Sequence, residues 1–449
     1  MTIELETIDV LIILAIFVLT YIGIIHPKID KTIAAVLGAT VATIAILRLK
    51  VPDYGHDIAE NISEEELIHF QDLKIIALIF GTLLLIEVSQ EAGVFHFLSV
   101  KILKLTEGDP KKLLRYFGIL TLVLSALVNN ISAMMIVGSL TLIACERLEL
   151  NPKPYIVTEL SMTTVGGIIT LISSVPNIII AESFGIEFVE FFLIGAPFGI
   201  LCMVINFMIF ERIYKDEFPE VKNPELAKAK VDEFDEWAAV NDKGLFYRSI
   251  VVLSLTILAF VFSAQLGLSL ALIAVTGGLT LVFISGMKLD LIMSKLDWGL
   301  IAFFLGLFVL IATLDAVQIL DFIAEWLVSI LPENEIAASI ILLWFVAFIS
   351  AIVDNIVVAA AFGPILLEVS LSGGYSPELF AWATIFSANF GGGLTPIGAP
   401  SAVVGLSLLY RKTGVKIGWG EFIKTQGIAT FVRLILTSGY LWLLSSFVF

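Results

Sequence analysis

The sequence is poor in charge. Of its 449 residues only 15% are Asp, Glu, Lys or Arg, against 58% hydrophobic, where soluble domains carry roughly 25% charged residues. That deficit excludes an ordinary soluble domain. Cysteine is scarce too. Cys145 and Cys202 both lie in apolar surroundings, which argues against a disulfide scaffold and predicts buried, inert thiols. The four histidines, His26, His56, His69 and His96, show no metal-ligand spacing, and no cofactor is expected. No basic cluster is interleaved with aromatics, so no nucleic acid partner is expected. The start, Met1-Thr-Ile-Glu-Leu-Glu-Thr-Ile-Asp9, is acidic where a cleaved leader wants basic residues, and the first apolar run is expected to be retained. Alternating segments of about 10 residues, the mark of a membrane β-barrel, are missing as well.

What is there is apolar sequence in long runs. Such runs of about 20 residues recur along most of the chain, each enough to span about 30 Å of hydrocarbon. The fold class expected is an all-α polytopic membrane protein, with the lipid bilayer as its first partner. Spans are read at 8–25, 32–47 and 73–88, with polar, acidic residues 48–72 before the third. An amphipathic segment at 94–105 ends at Thr106-Glu-Gly-Asp-Pro-Lys-Lys112. Residues 113–148 are apolar at both ends and polar in the middle. As one helix they would measure about 54 Å, too long for one crossing. A re-entrant hairpin with its tip at Asn129-Asn130 fits better. Residues 154–180 read as a helix broken at Gly166-Gly167 and near Pro176, and 188–210 closes a first half, 1–210. Residues 211–247 are the one long hydrophilic stretch and read as a solvated linker. The second half, 248–449, repeats the plan, with an amphipathic stretch at 315–331, a hairpin at 336–369 whose tip is Asp354-Asn355, and a broken helix at 379–409.

A shift of 225 positions lays Ser125-Ala-Leu-Val-Asn-Asn-Ile131 on Ser350-Ala-Ile-Val-Asp-Asn-Ile356 without a gap. The same shift lays Gly166, Gly167 and Thr170 on Gly391, Gly392 and Thr395. Apolar matches mean little in so hydrophobic a chain; the Asn, Gly and Thr matches carry the weight. Five crossings plus one hairpin per half would make the second half inverted relative to the first. Inverted repeats with broken helices in equivalent places mark secondary transporters, with the site between the repeats at the midplane. With both termini outside, Lys and Arg gather on the linker side, as topology rules demand. The expected location is a prokaryotic plasma membrane with linker 211–247 cytoplasmic.

The two tip motifs resemble those of the ion transporter superfamily, which contains arsenite permeases, NhaD-type sodium/proton antiporters, citrate-transporter-like proteins and the melanosomal P protein. Asn389-Phe-Gly-Gly-Gly-Leu-Thr-Pro-Ile-Gly-Ala-Pro-Ser-Ala-Val-Val404 resembles the family's second interrupted helix, and Glu159 with Thr164-Val-Gly-Gly167 resembles its first. The resemblance runs over nearly the whole chain. It implies ten spans, two re-entrant hairpins and often a homodimer with an elevator-like moving unit. The chain departs from the pattern at Asn129, where many antiporter-like members have Asp, and at Leu171 and Ser173, where the second half has Pro396 and Gly398. The Ser-Asn-Thr signatures of the dicarboxylate branch are absent from both tips. These departures bear on the substrate.

Polar groups at bilayer depth are costly and mark an ion or substrate path. The candidate binding groups are Asn129, Asn130, Thr170, Ser173, Asp354, Asn355, Asn389 and Thr395, with Gly166, Gly167, Gly391, Gly392 and Gly393 as backbone positions. The carbonyl ends of broken helices, with Asn and Thr oxygens, can ligate Na⁺, and their N–H ends can hold an anion. A Na⁺ site is sought at Asn130, Asp354, Asn355 and Thr395. The plainer reading is that each Asn caps a turn and each glycine serves close packing. Asp354 is the one carboxylate at either tip, and a group that takes either a proton or a cation is what an antiporter needs. Glu159 is the second candidate proton carrier. Arg433, the one Arg within a span, pairs with a carboxylate, snorkels or faces an anion path.

The leading expectation is a secondary transporter that exchanges a cation, Na⁺ first, for protons by alternating access. The alternatives are a permease for a small anion, an inorganic oxyanion or a di- or tricarboxylate, and, outside that class, a passive channel. An intramembrane aspartyl protease needs two facing Asp groups, and the tips offer one, so no enzyme is expected.

Overall fold

In a computed structural model the chain is described over residues 7–26, 28–48, 70–221 and 223–448. Among these residues every regular element is helical. His56, His69 and most of the 48–72 loop lie outside the described residues.

The first half runs α1 (Thr7–Ile25), α2 (Lys31–Arg48), α3 (Phe70–Glu91) and α4 (Val94–Leu105). The hairpin arms are α5 (Pro110–Leu127) and α6 (Asn130–Leu148), and the broken helix is α7 (Lys153–Gly166) with α8 (Val175–Phe184). Helix α9 (Phe188–Ile213) leads to the linker helix α10 (Pro224–Asp232). The second half runs α11 (Lys243–Val261), α12 (Leu270–Ser285), α13 (Trp298–Ala316) and α14 (Ile319–Ile330). Its hairpin arms are α15 (Glu335–Ser350) and α16 (Asn355–Gly373), its broken helix α17 (Pro377–Gly391) with α18 (Pro400–Thr413). The last span is α19 (Trp419–Phe447), with one π turn at Ile423–Gly427.

Local chemistry sets the ends of these elements. Asp109 caps α5 by accepting from the Lys112 N–H at 2.8 Å, with Pro110 in the first turn. Asn334 caps α15 in the same way, from Ala337 N–H at 2.9 Å. The chain turns extended at Val128 and at Ala399. Helix restarts at the breaks carry Pro176 and Pro400 in their first turns, where the missing N–H costs nothing.

Among the described residues seven helices are long and apolar enough to cross a membrane, or eight when α14 and α15, bent by 118°, count as one broken span. The seven include the hairpin arms α6 and α16, while most of α1 and α2, with α8 and α12, are apolar but shorter. Length and apolarity alone therefore give fewer than the ten spans the resemblance implies, because short and broken crossings fall below the length of a full span.

The 225-residue shift reappears in three dimensions. It lays α4 on α14 and α6 on α16 end to end. The packing follows in mates: α3 packs on α12 and α2 on α13, α5 on α7 and α15 on α17. Most telling, α6 packs on α18 while α16 packs on α8. Each hairpin thus embraces the broken helix of the other half, the reciprocal exchange that a two-fold relation generates.

The linker is not detached from this framework. Val231 of α10 is buried, Lys230 and Lys104 pair with Glu149 and Glu236 at 2.9 and 2.5 Å, and Trp237 packs at a tilt against Phe97 and Phe246. It straps the base of α4, α5 and α6.

Candidate functional site

The two tips and two breaks converge between the halves, and a shared set of hydrogen bonds ties each tip to a break. Ser125 Oγ donates to Thr163 O at 2.8 Å, and its mate Ser350 Oγ donates to Ala388 O at 2.7 Å. Thr170 Oγ1 donates to Ala126 O at 2.5 Å, and its mate Thr395 Oγ1 donates to Ala351 O. These four bonds go to carbonyls near helix ends, which in lipid have no water to turn to; of them Thr163 O also accepts from Gly167 N–H at 2.9 Å. Both threonines are thus engaged in joining a break to a tip.

The glycines serve close approach. A Cβ on Gly166 would lie 2.5 Å from Leu122 O, and one on Gly391 would collide with Ala347 O in the equivalent place. Gly392 sits against Gly398 O within its own loop, and Gly393 against Thr430 and Arg433 of α19. Their conformations are ordinary; what they supply is room.

At the first tip Asn129 caps α6, accepting from Ser132 N–H at 2.8 Å. Asn130 Oδ1 accepts from Ser125 Oγ. Its Nδ2 lies 3.1 Å from where a Gly167 Cβ would sit, and Asn389 Oδ1 lies 3.2 Å from the same point. Asn389, from the other half, donates to Asn177 Oδ1 at 2.7 Å and to Ile385 O at 2.8 Å, while its own Oδ1 is buried without a partner. Asn177 Nδ2 in turn reaches Gly167 O at 2.6 Å, Thr170 O at 3.1 Å and Ser173 Oγ at 3.2 Å. Ser173 Oγ donates to Gly167 O at 2.7 Å and to Thr170 O at 2.5 Å. Gly167 is therefore ringed by amides from both halves, with an unpartnered oxygen among them.

The second tip differs. Asp354 caps α16 through Oδ1, accepting from Ile356 N–H at 3.0 Å, and its Oδ2 is 2.9 Å from Lys31 Nζ. Asn355 is buried beside it. Among the described residues no hydrogen bond joins Asn130 to Asp354, Asn355 or Thr395, the groups at which a Na⁺ site was sought. The ammonium of Lys31 stands where a cation would approach Asp354.

Two buried ionisable groups flank the crossing. Glu159 on α7 accepts from Thr141 Oγ1 at 2.5 Å, and its second carboxyl oxygen is buried without a partner. Among the described residues no basic side chain pairs with it. Arg433 on α19 is 0% exposed, so it does not snorkel. It donates to Ser161 O at 3.2 Å, Ser161 Oγ at 3.1 Å, Thr164 Oγ1 at 2.9 Å and Thr430 Oγ1 at 2.6 Å, and lies 5.1 Å over the Phe390 ring. Its Nε has no partner, and among the described residues no carboxylate pairs with it. A buried unpaired ion costs several kcal/mol. Hydrogen bonds to a charged group return ~1.5–3 kcal/mol each, yet the positive charge at the second break stays uncompensated.

Sequence reading missed Asn177 and the role of Lys31. Asn177 had a signal, a lone amide within an apolar run just after Pro176. Lys31 had none, because its sequence neighbours mark it as a loop charge. Cys145 and Cys202 are buried free thiols, and among the described residues no group of His, Cys, Asp and Glu could hold a metal.

The family model described as citrate transporter matches residues 21–383 and 264–449. The chain belongs to the citrate transporter family. It is similar to an uncharacterized transporter of Mycobacterium tuberculosis, 31% identical over 83% of this chain and 86% of that one. It is also similar to the mouse P protein, 25% identical over 90% of this chain and 56% of the other. Among solved structures it resembles the YdaH transporter of Alcanivorax borkumensis, with a TM-score of 0.63 at 14% identity, covering 98% of this chain and 99% of that one. It resembles MtrF of Neisseria gonorrhoeae with a TM-score of 0.62 at 15% identity, covering 96% and 94%. The resemblance to the ion transporter superfamily drawn from the tip motifs is borne out, and the protein is an integral membrane transporter.

Proposed function

We propose that the chain is a secondary transporter whose cargo is a small anion, a carboxylate or an inorganic oxyanion, carried at the crossing of the two tips and two breaks. The observation that carries this reading is Arg433, wholly buried among hydroxyls beside the second break with no carboxylate partner among the described residues. An anion arriving there would supply the missing charge, and fixed donors in a dry site bind charge more strongly than in water. The description of the matching family model points the same way. In this reading the halves are inverted across the bilayer, supported by the Lys and Arg bias, with the linker cytoplasmic.

A second reading, exchange of Na⁺ for protons, is favoured by Glu159, a buried carboxyl with one unpartnered oxygen and no basic partner. Asp354 fits that role less well than the sequence suggests, since Lys31 already neutralises it. Purified protein in liposomes separates the two. Labelled citrate, succinate and arsenite are offered in turn, and an internal pH dye follows proton movement on addition of Na⁺ or Li⁺. Saturable uptake of one anion supports the first reading. Cation-driven proton movement with no anion uptake overturns it.

A further inference from the structure

The mated packing stops at one boundary. Helices α1–α3 and α11–α13 pack among themselves as an outer group, and the hairpins with the broken helices form an inner group. Within each group contacts come in mates. Across the boundary they do not: α16 touches α13 and α8 touches α3, while the mates, α6 against α3 and α18 against α13, make at most glancing contact. Two ion pairs sit on the touching side. Lys31, at the start of α2, holds Asp354 at the second tip at 2.9 Å, and Lys74 on α3 lies 3.8 Å from Glu182 on α8. Neither has a counterpart. The first tip has Asn129 in place of Asp354, and α12, the mate of α2, carries no charged residue. The 225 shift lays Gly299 on Lys74 and Ser407 on Glu182.

We propose that these ion pairs, led by Lys31–Asp354, form a one-sided latch that holds the inner group against the outer group in the position seen here and must open for the other position to be reached. The proposal rests on the transporter reading, in which one group moves against the other. The chemistry suits a latch that opens. Lys31 and Asp354 side chains are 36% and 20% exposed, so neither is sealed inside the protein, where separation of a fully buried pair would leave two stranded ions. Asp354 keeps its cap on Ile356 N–H through its other oxygen, so the tip stays formed with the pair open. Lys31 Nζ also lies 5.4 Å from the Phe303 ring centroid on α13, which gives the released ammonium a place on the outer group. A contact present in one arrangement and absent from its mate shifts a two-state equilibrium by its own free energy.

Spin labels at Trp298→Cys on α13 and Ile352→Cys at the second tip, both exposed positions, read the boundary by pulsed dipolar spectroscopy in liposomes, with Cys145 and Cys202 replaced by Ala. The unaltered latch gives one dominant distance. Lys31→Gln raises a second, longer distance about tenfold from a minor population, Lys31→Glu raises it further through repulsion, and Lys31→Arg leaves the dominant distance in place. Lys74→Gln, at the second ion pair, shifts the same population in the same direction by less. An unchanged distribution in Lys31→Glu overturns the latch, as does a Lys31→Arg shift equal to that of Lys31→Gln. These distances need no transported solute, so they stand apart from the outcome of the uptake assay.

Discussion

The two halves agree in what holds them together and differ in what they can bind. Ser125 and Ser350, Thr170 and Thr395, Gly166 and Gly391 occupy matching places and make matching contacts. The chemistry-bearing residues break the match. Glu159 faces Thr141 in the first half, where the shift puts Thr384 and Leu366 in the second. Asn177 answers to Ala402, Asn389 to Thr164, Asp354 to Asn129 and Arg433 to Met208. Duplication supplied a symmetric frame, and the departures from symmetry show where one half took on a task the other did not.

The largest effect should come from crowding the shared frame. Gly166→Val and Gly391→Val each push a branched side chain into a neighbouring helix backbone, and overpacking of this kind costs about 1–3 kcal/mol or more. Both variants should lose monodisperse protein or melt well below the parent in detergent. If only one does, the close approach matters in one half alone and the comparison fails at that point.

Next comes the asymmetric amide. Asn177→Ala leaves Asn389 Nδ2 short of its acceptor, while Gly167 O and Thr170 O are left with Ser173 Oγ as their side-chain donor. Each buried group left unsatisfied costs about 1–3 kcal/mol. The melting temperature should fall, and transport should fall with it, because Asn389 loses the partner that positions it. Normal transport in Asn177→Ala would remove the amide ring around Gly167 from the site.

Smaller effects on the thermal melt are expected from Ser125→Ala and Ser350→Ala. Each loses one hydroxyl bond between a tip and a break, worth ~1 kcal/mol net, and Ser125→Ala also takes the donor from Asn130 Oδ1, so its loss should be the larger. A larger loss from Ser350→Ala would show that the halves do not share the load. The least effect should come from the linker: Lys104→Ala and Lys230→Ala remove partly exposed ion pairs, and melts should move little and converge on the parent at high salt.

The all-helical fold and the repeat were legible because polarity in an apolar chain is rare enough to stand out. Ser125-Ala-Leu-Val-Asn-Asn-Ile131 and its copy mark the tips for that reason, and Gly166 and Gly391 mark the breaks. The exchange of hairpins between halves was not legible, since α6 meets α18 across more than 250 residues of chain and no local pattern encodes the pairing. The partner of Asp354 was hidden for the same reason. Lys31 is 323 positions away and reads locally as one more basic loop residue. The roles of the threonines were half legible: a hydroxyl in a break predicts a polar contact, but sequence does not say whether it meets an ion or a carbonyl, and here it meets a carbonyl.

We propose that the unpaired charge of Arg433 serves an anion. It is tested most directly by counterflow: liposomes loaded with an unlabelled anion, external labelled anion of the same kind, and three proteins compared at equal amounts, the parent, Arg433→Lys and Arg433→Gln. Saturable counterflow is expected in the parent, a weaker rate in Arg433→Lys, which keeps the charge but not the fork of donors, and background in Arg433→Gln with its melt unchanged or raised. Full counterflow in Arg433→Gln would rule out an anion at this charge.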